Sequence, residues 1–142
     1  MPVTFKIIPK RQLILFTYSG LVTLQESMDI VAQSALDPQH QPWQRHLCDL
    51  SAVTEVERDF LRLMQMQAKI AETFQPQAHD KIVLFYAPTK AGQMMAEMAR
   101  KSWEGLNSVL VMVQHSEAQA LAMLDLPEQN LQALLQIAES PA

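Results

Sequence analysis

The chain has a single cysteine, Cys48, in 142 residues. One cysteine excludes an intrachain disulfide and fits a reducing compartment, so a cytoplasmic protein is expected. Glycine is scarce too: Gly20, Gly92 and Gly105 stand alone, and no glycine-rich loop exists to cradle a phosphate. No basic run occurs, and 11 Lys and Arg against 15 Asp and Glu leave a net charge of −4. Nucleic acid and anionic membrane both select a cationic surface, so neither is expected as the main partner. No stretch reaches the roughly 20 apolar residues of a membrane span. The run "LILFTYSGLV" after Lys10 and Arg11 is broken by Thr17, Tyr18, Ser19 and Gly20. It lacks a clean small-x-small cleavage site and is expected to be a strand, not a leader. His40, His46, His79 and His115 never pair at two, three or four residues, so there is no local metal motif. No cofactor is expected.

What is present is a chain with an apolar fraction of 49%, enough for a real core. It is expected to form one domain over 1–142. Val3 to Pro9 alternates, with Val3, Phe5 and Ile7 on one face and Thr4 and Lys6 on the other, as in a strand with one wet side. Lys10 and Arg11 make a turn, and Gln12 to Tyr18 returns as the second arm of a hairpin that Gly20 ends. Thr23 and Glu26 have capping-box spacing and open a helix whose buried stripe is Leu24, Met28, Val31, Ala32 and Ala35. Pro38 and Pro42 end it. A short third strand is expected over Arg45 to Leu50.

Thr54 and Glu57 repeat the capping-box spacing and are expected to start the longest helix. Its stripe is Val56, Phe60, Leu63, Met64, Ile70, Ala71 and Phe74, and Pro76 ends it. "KIVLFYA", Lys81 to Ala87, reads as a central strand buried on both faces. Pro88 and Thr89 lead into a third helix through Trp103, stopped by Gly105. Asn107 to Val113 is the last strand. Ser116 with Gln119 caps a fourth helix, and Pro127 at the first helical position opens a fifth, with Leu131, Leu134, Leu135 and Ala138 as its stripe. The fold class is α/β: a single mixed five-stranded sheet with an N-terminal hairpin, flanked by helices, in the order β-β-α-β-α-β-α-β-α-α.

The hairpin end "YSGLVT", the stretch "CDLSAVTEVERDFL", the strand "KIVLFYA" and the late helix "SEAQALAMLDL" together resemble the SpoIIAA-like family. That family comprises STAS domains, such as anti-sigma-factor antagonists, small bacterial proteins, and relatives of CRAL-TRIO type. The resemblance implies a SpoIIAA-like sheet and a regulatory module that binds protein partners. Antagonists switched by phosphorylation begin the helix after the third strand with an Asp-Ser-Ser-Gly-like motif. Glu57, Arg58, Asp59 and Phe60 stand there instead. No serine is available to take on the near-double negative charge of a phosphate.

The chemical candidates are few. Asp49, Ser51, Tyr86, Thr89 and His115 are expected at the carboxyl ends of the strands, where open α/β sheets bind ligands. Turn chemistry is the favoured account of Asp49 and Ser51, through hydrogen bonds to loop amides that hold the strand-to-helix joint. Cys48 should share a strand face with His46, opposite Asp49, and reads as a small buried hydrophobe more than a nucleophile. His79 and Asp80 read as a solvated loop pair. Methionine is abundant at nine residues, and Met94, Met95 and Met98 crowd the third helix with Trp103. That face is either core, a partner surface or the lining of a greasy pocket. The leading expectation is a non-enzymatic interaction module with a protein partner, as a homodimer. The alternative is a carrier or sensor of a small hydrophobic ligand. Candidate contact residues are Met94, Met95, Met98, Trp103, Asp49, Ser51, Tyr86 and His115; no catalytic residue is assigned. An enzyme working at the Asp49, Ser51 and His115 edge is a third reading.

Overall fold

In the computed structural model, the chain is described over residues 3–74, 81–104 and 109–139, with side chains except for 69–74 and 139. Strand β1 (Val3–Ile8) passes through a 3-10 turn (Pro9–Arg11) into β2 (Leu13–Val22), and the two pair antiparallel from Val3↔Tyr18 to Ile8↔Leu13. Gln12 closes this turn in the left-handed region, φ 53°. Then come α1 (Leu24–Ala35), β3 (Arg45–Val56), α2 (Phe60–Phe74), β4 (Lys81–Tyr86), α3 (Lys90–Ser102), β5 (Val109–Gln114), α4 (Glu117–Met123) and α5 (Leu131–Glu139). The sheet order is β1-β2-β3-β4-β5, with β2 to β5 parallel, which is the expected mixed five-stranded α/β architecture.

Strand alternation sorts the side chains into two cores. Ile14, Phe16 and Tyr18 of β2, Cys48 and Leu50 of β3 and Phe85 of β4 face α1, α2 and α3. Leu13, Leu15, Leu47 and Leu84 face the other way, against Leu121, Leu124 and Leu134 of α4 and α5. Polar ties hold this second layer. Arg11 donates from Nε and a terminal nitrogen to both oxygens of Glu128, at 3.0 and 2.8 Å. Arg45 donates to the carbonyls of Leu124 and Arg11. The N–H of Leu131 donates to Glu117.

Several local expectations hold. Thr23 and Glu26 form the full capping box, and Ser116 accepts from the N–H of Gln119. Thr89 caps α3 by accepting from Gly92. Others are corrected. β2 runs past Gly20 to Val22: Gly20 adopts φ 68° beside two register shifts, so the strand bends there without ending. β3 runs to Val56, so Thr54 and Val56 are strand residues and α2 starts at Phe60. Glu57 forms no cap with Thr54. Its carboxylate accepts from the N–H of Leu24, at the start of α1. The parallel register with β2, from Leu13↔Arg45 to Val22↔Val56, overrides the local helix signal. α5 starts at Leu131, where Asn130 accepts from the N–H of Ala133, and Pro127 precedes it in irregular chain. β4 is not buried throughout: Leu84 and Phe85 are, whereas Ile82, Val83 and Tyr86 are half-buried. Pro76, His79, Asp80, Gly105, Asn107 and the side chains of Ile70, Ala71 and Phe74 lie outside the described residues.

α1 departs most from expectation. Leu24 is buried and Met28 half-buried, but Val31, Ala32 and Ala35 are exposed, while Ser27, Ile30 and Ser34 are buried. The helix leans on β1 and touches α2; α3 packs on β3 and β5; α2 meets both helices. The helices therefore leave a space over the middle strands.

Candidate functional site

That space is a cavity of about 900 Å³. Its floor is the helix-facing side of β2, β3 and β4: Phe16, Tyr18, His46, Cys48, Val83 and Phe85. One wall is α1, with Leu24, Ser27, Met28, Val31, Ala32 and Ala35. The other is α3, with Met95, Ala99 and Trp103, and α2 closes over with Phe60, Met64, Gln67 and Ala68. The lining extends to His40 and Pro42 in the loop before β3 and to Lys81 and Val109, which begin β4 and β5. From Leu24 to Ala35 the wall is about 16 Å long at 1.5 Å per helical residue. Val31, Ala32, Ala35, Pro42 and Gln67 are exposed and form its rim. Protein interiors hold few voids larger than a water molecule. Ligand sites, in contrast, run from about 300 to 1,000 Å³ and are mainly apolar.

The polar groups in the wall are few. Tyr18 and Cys48 are fully buried and hydrogen-bonded to each other. Burial pushes the Cys48 thiol up to about 12, and burial also raises the Tyr18 hydroxyl well above its ordinary value. A thiol held so far from ionisation is no nucleophile. His46 packs edge-on against Phe16, with ring centroids 5.0 Å apart and planes at 63°. Burial drives its pKa down to about 3, and the charges of Lys81 and His40 push the same way, so His46 is neutral. Lys81 Nζ donates to the carbonyls of Pro42 and Gln44, at 3.1 and 3.3 Å, tying the loop before β3 to the start of β4. Burial lowers its pKa.

Ser27 is the exception in hydrogen bonding. Ser34 and Ser102, also buried on helices, each donate to the carbonyl three residues back at 2.7 Å. The Ser27 hydroxyl is buried and has no partner among the described residues. Buried polar atoms without partners are rare, and this one belongs to the cavity wall.

The eight residues singled out by sequence separate. Met95 and Trp103 line the cavity. Met94 is exposed, and Met98 packs half-buried into the core beside it. Asp49 and Tyr86 are register partners on the opposite side of the sheet from Cys48. Burial raises the Tyr86 hydroxyl, aided by Glu117 and Asp49. Asp49 accepts from the N–H of Ser51 at 3.0 Å, the turn bond expected of such a pair. Ser51 and His115 are exposed. The structure does not bring Asp49, Ser51 and His115 into the cavity, whose lining lies on the other face and reaches the amino ends of the strands. Sequence reasoning missed Ser27, His46 and Lys81 as cavity residues. The available signals were a lysine opening an apolar strand and a helix stripe with two alanines among its five residues.

Among the described residues, no group of three or more His, Cys, Asp and Glu could hold a metal ion, and no helix is long and apolar enough to cross a membrane. Comparison of the chain with protein-family models and with curated proteins finds no match.

Proposed function

We propose that the protein binds a small hydrophobic ligand in the cavity between its sheet and α1, α2 and α3, as a carrier or sensor. One observation carries this reading: about 900 Å³ of mainly apolar space lies between the sheet and the helices, lined from α1 by Met28, with Val31, Ala32 and Ala35 at its rim. Filling it would remove apolar surface from water, at about 25 cal/mol per Å². No bond-making is required of any lining group.

The test is displacement of an environment-sensitive naphthalene dye, with native mass spectrometry of the freshly purified protein. Ala32→Trp places an indole at the rim from an exposed helical position, where it strains nothing. Dye affinity should fall at least tenfold while the thermal midpoint stays within about 2 °C. Absence of dye binding and of any retained mass would sink the proposal.

A second reading, a regulatory protein-interaction module without the phosphorylatable serine, is supported by Leu63, Met66 and Met94, apolar side chains exposed on the neighbouring helices α2 and α3. It is compatible with the first if a partner senses the filled state. A strictly monomeric mass in light scattering, together with no partner captured by the wild-type chain, counts against it.

A further inference from the structure

The polar groups of the cavity are not spread evenly, and their charge has one sign. At the end where β3 and β4 begin, the lining carries His40, His46 and Lys81. Among the described residues the lining holds no Asp and no Glu, although acids outnumber bases in the whole chain. The three nitrogen groups sit close enough for Lys81 and His40 to disfavour a proton on His46. The Lys81 ammonium has three N–H donors. Two go to the carbonyls of Pro42 and Gln44, which are neutral, and no carboxylate pairs with it among the described residues. It is a half-buried cation with one donor to spare, at one end of an apolar slot, and no anion meets it among the described residues.

Resting on the ligand-binding reading above, we propose that the cavity takes an amphiphilic acid, with its anionic head at Lys81 and its apolar body along α1. Lys81 supplies the fixed charge and a charge-assisted hydrogen bond to the head. Neutral His46 offers an uncharged ring donor beside it, and His40 adds a second polar contact from the loop that Lys81 tethers. Val31, Ala32 and Ala35 on one side and Ala99 and Trp103 on the other hold the chain. A lining without carboxylates places nothing of the head's own sign against it. A neutral amphiphile of equal length gains the same apolar burial but not the pairing with Lys81.

Dodecanoate and dodecan-1-ol share a chain length and differ in the head, so calorimetric titration of both at pH 8 reads the head group alone. Wild-type protein should bind one dodecanoate per chain at least tenfold more tightly than the alcohol. Lys81→Met should remove that preference, and Lys81→Arg should keep it. Equal affinities of the two probes for the wild type would overturn the acid preference while leaving the hydrophobic-ligand reading intact. The same conclusion follows if Lys81→Met keeps the preference. Binding of neither probe would remove both. The wild-type comparison decides the matter even where a variant folds poorly.

Discussion

His46 gives the fold a specific sensitivity to acid. Its pKa is driven to about 3 in the folded chain, whereas the unfolded side chain titrates near 6.5. The unfolded state therefore binds a proton that the folded state rejects, and stability falls as pH drops from about 6.5 toward 3. The full shift corresponds to a ceiling of about 4–5 kcal/mol, reached only at the acid end of that window. By pH 5 the loss from this one group is about 2 kcal/mol, before most carboxylates titrate. Urea denaturation of ligand-free protein at pH 7.5, 6.5, 5.5 and 5.0 measures it. His46→Phe supplies the baseline, because an aromatic ring there keeps the edge contact with Phe16 and cannot protonate. Wild type should lose about 2 kcal/mol more than the variant between pH 7.5 and pH 5.0. Parallel pH profiles would refute the reasoning, since they would mean that water or movement of the loop before β3 solvates the imidazolium.

Two further outcomes follow from close packing and burial. Gly92→Ala should destabilise by about 1–3 kcal/mol in chemical denaturation, although alanine is the better helix former by about 1 kcal/mol. A Cβ at Gly92 would stand 2.9 Å from the Leu50 carbonyl oxygen and 3.2 Å from both Leu50 Cβ and Thr89 Oγ1. Any gain in stability would show that α3 is not seated on β3 as described. Cys48, with its thiol at about 12, should react with an aromatic disulfide reagent at pH 8 far more slowly in the native chain than in denaturant. Rapid labelling of the native chain would contradict its burial.

The fold was legible in the sequence where a short-range pattern and the tertiary environment ask for the same thing. Val3, Phe5 and Ile7 alternate because β1 has one buried face, and that face is the one observed. Thr23–Glu26 reads as a capping box and is one, because the chain leaves the sheet at Val22 and nothing else competes for those amides. Thr54–Glu57 reads identically and is not one, because β2 has a ladder to offer as far as Val56. The amino end of α1 then takes the Glu57 carboxylate. The two sequences differ in what lies beside them in space, which no local window contains. The start of α5 fails for a related reason: Pro127 suits a first helical turn, but Asn130 supplies the better cap three residues later.

The site was legible only in pieces, because a cavity is a property of what side chains fail to reach. The α1 stripe was read as buried from its spacing, and spacing does locate the face. It cannot say whether the opposing surface is in contact, since Met28, Val31, Ala32 and Ala35 look the same whether they meet a sheet or line a cavity. The methionine-rich α3 shows the same limit: Met95 reaches the cavity, while Met94, one residue earlier, is turned to solvent. Lys81 was visible as the lone cation opening "KIVLFYA", but its neighbours His40 and His46 come from a loop and a strand some 35 to 41 positions earlier. Only the parallel pairing of β3 with β4, His46 against Val83, brings them to one end of one slot. The sheet thus does more than support the helices. By setting three nitrogen bases at one end of a lining that holds no acid among the described residues, it gives the apolar space a direction, and the proposed preference for an acid over its alcohol rests on that polarity.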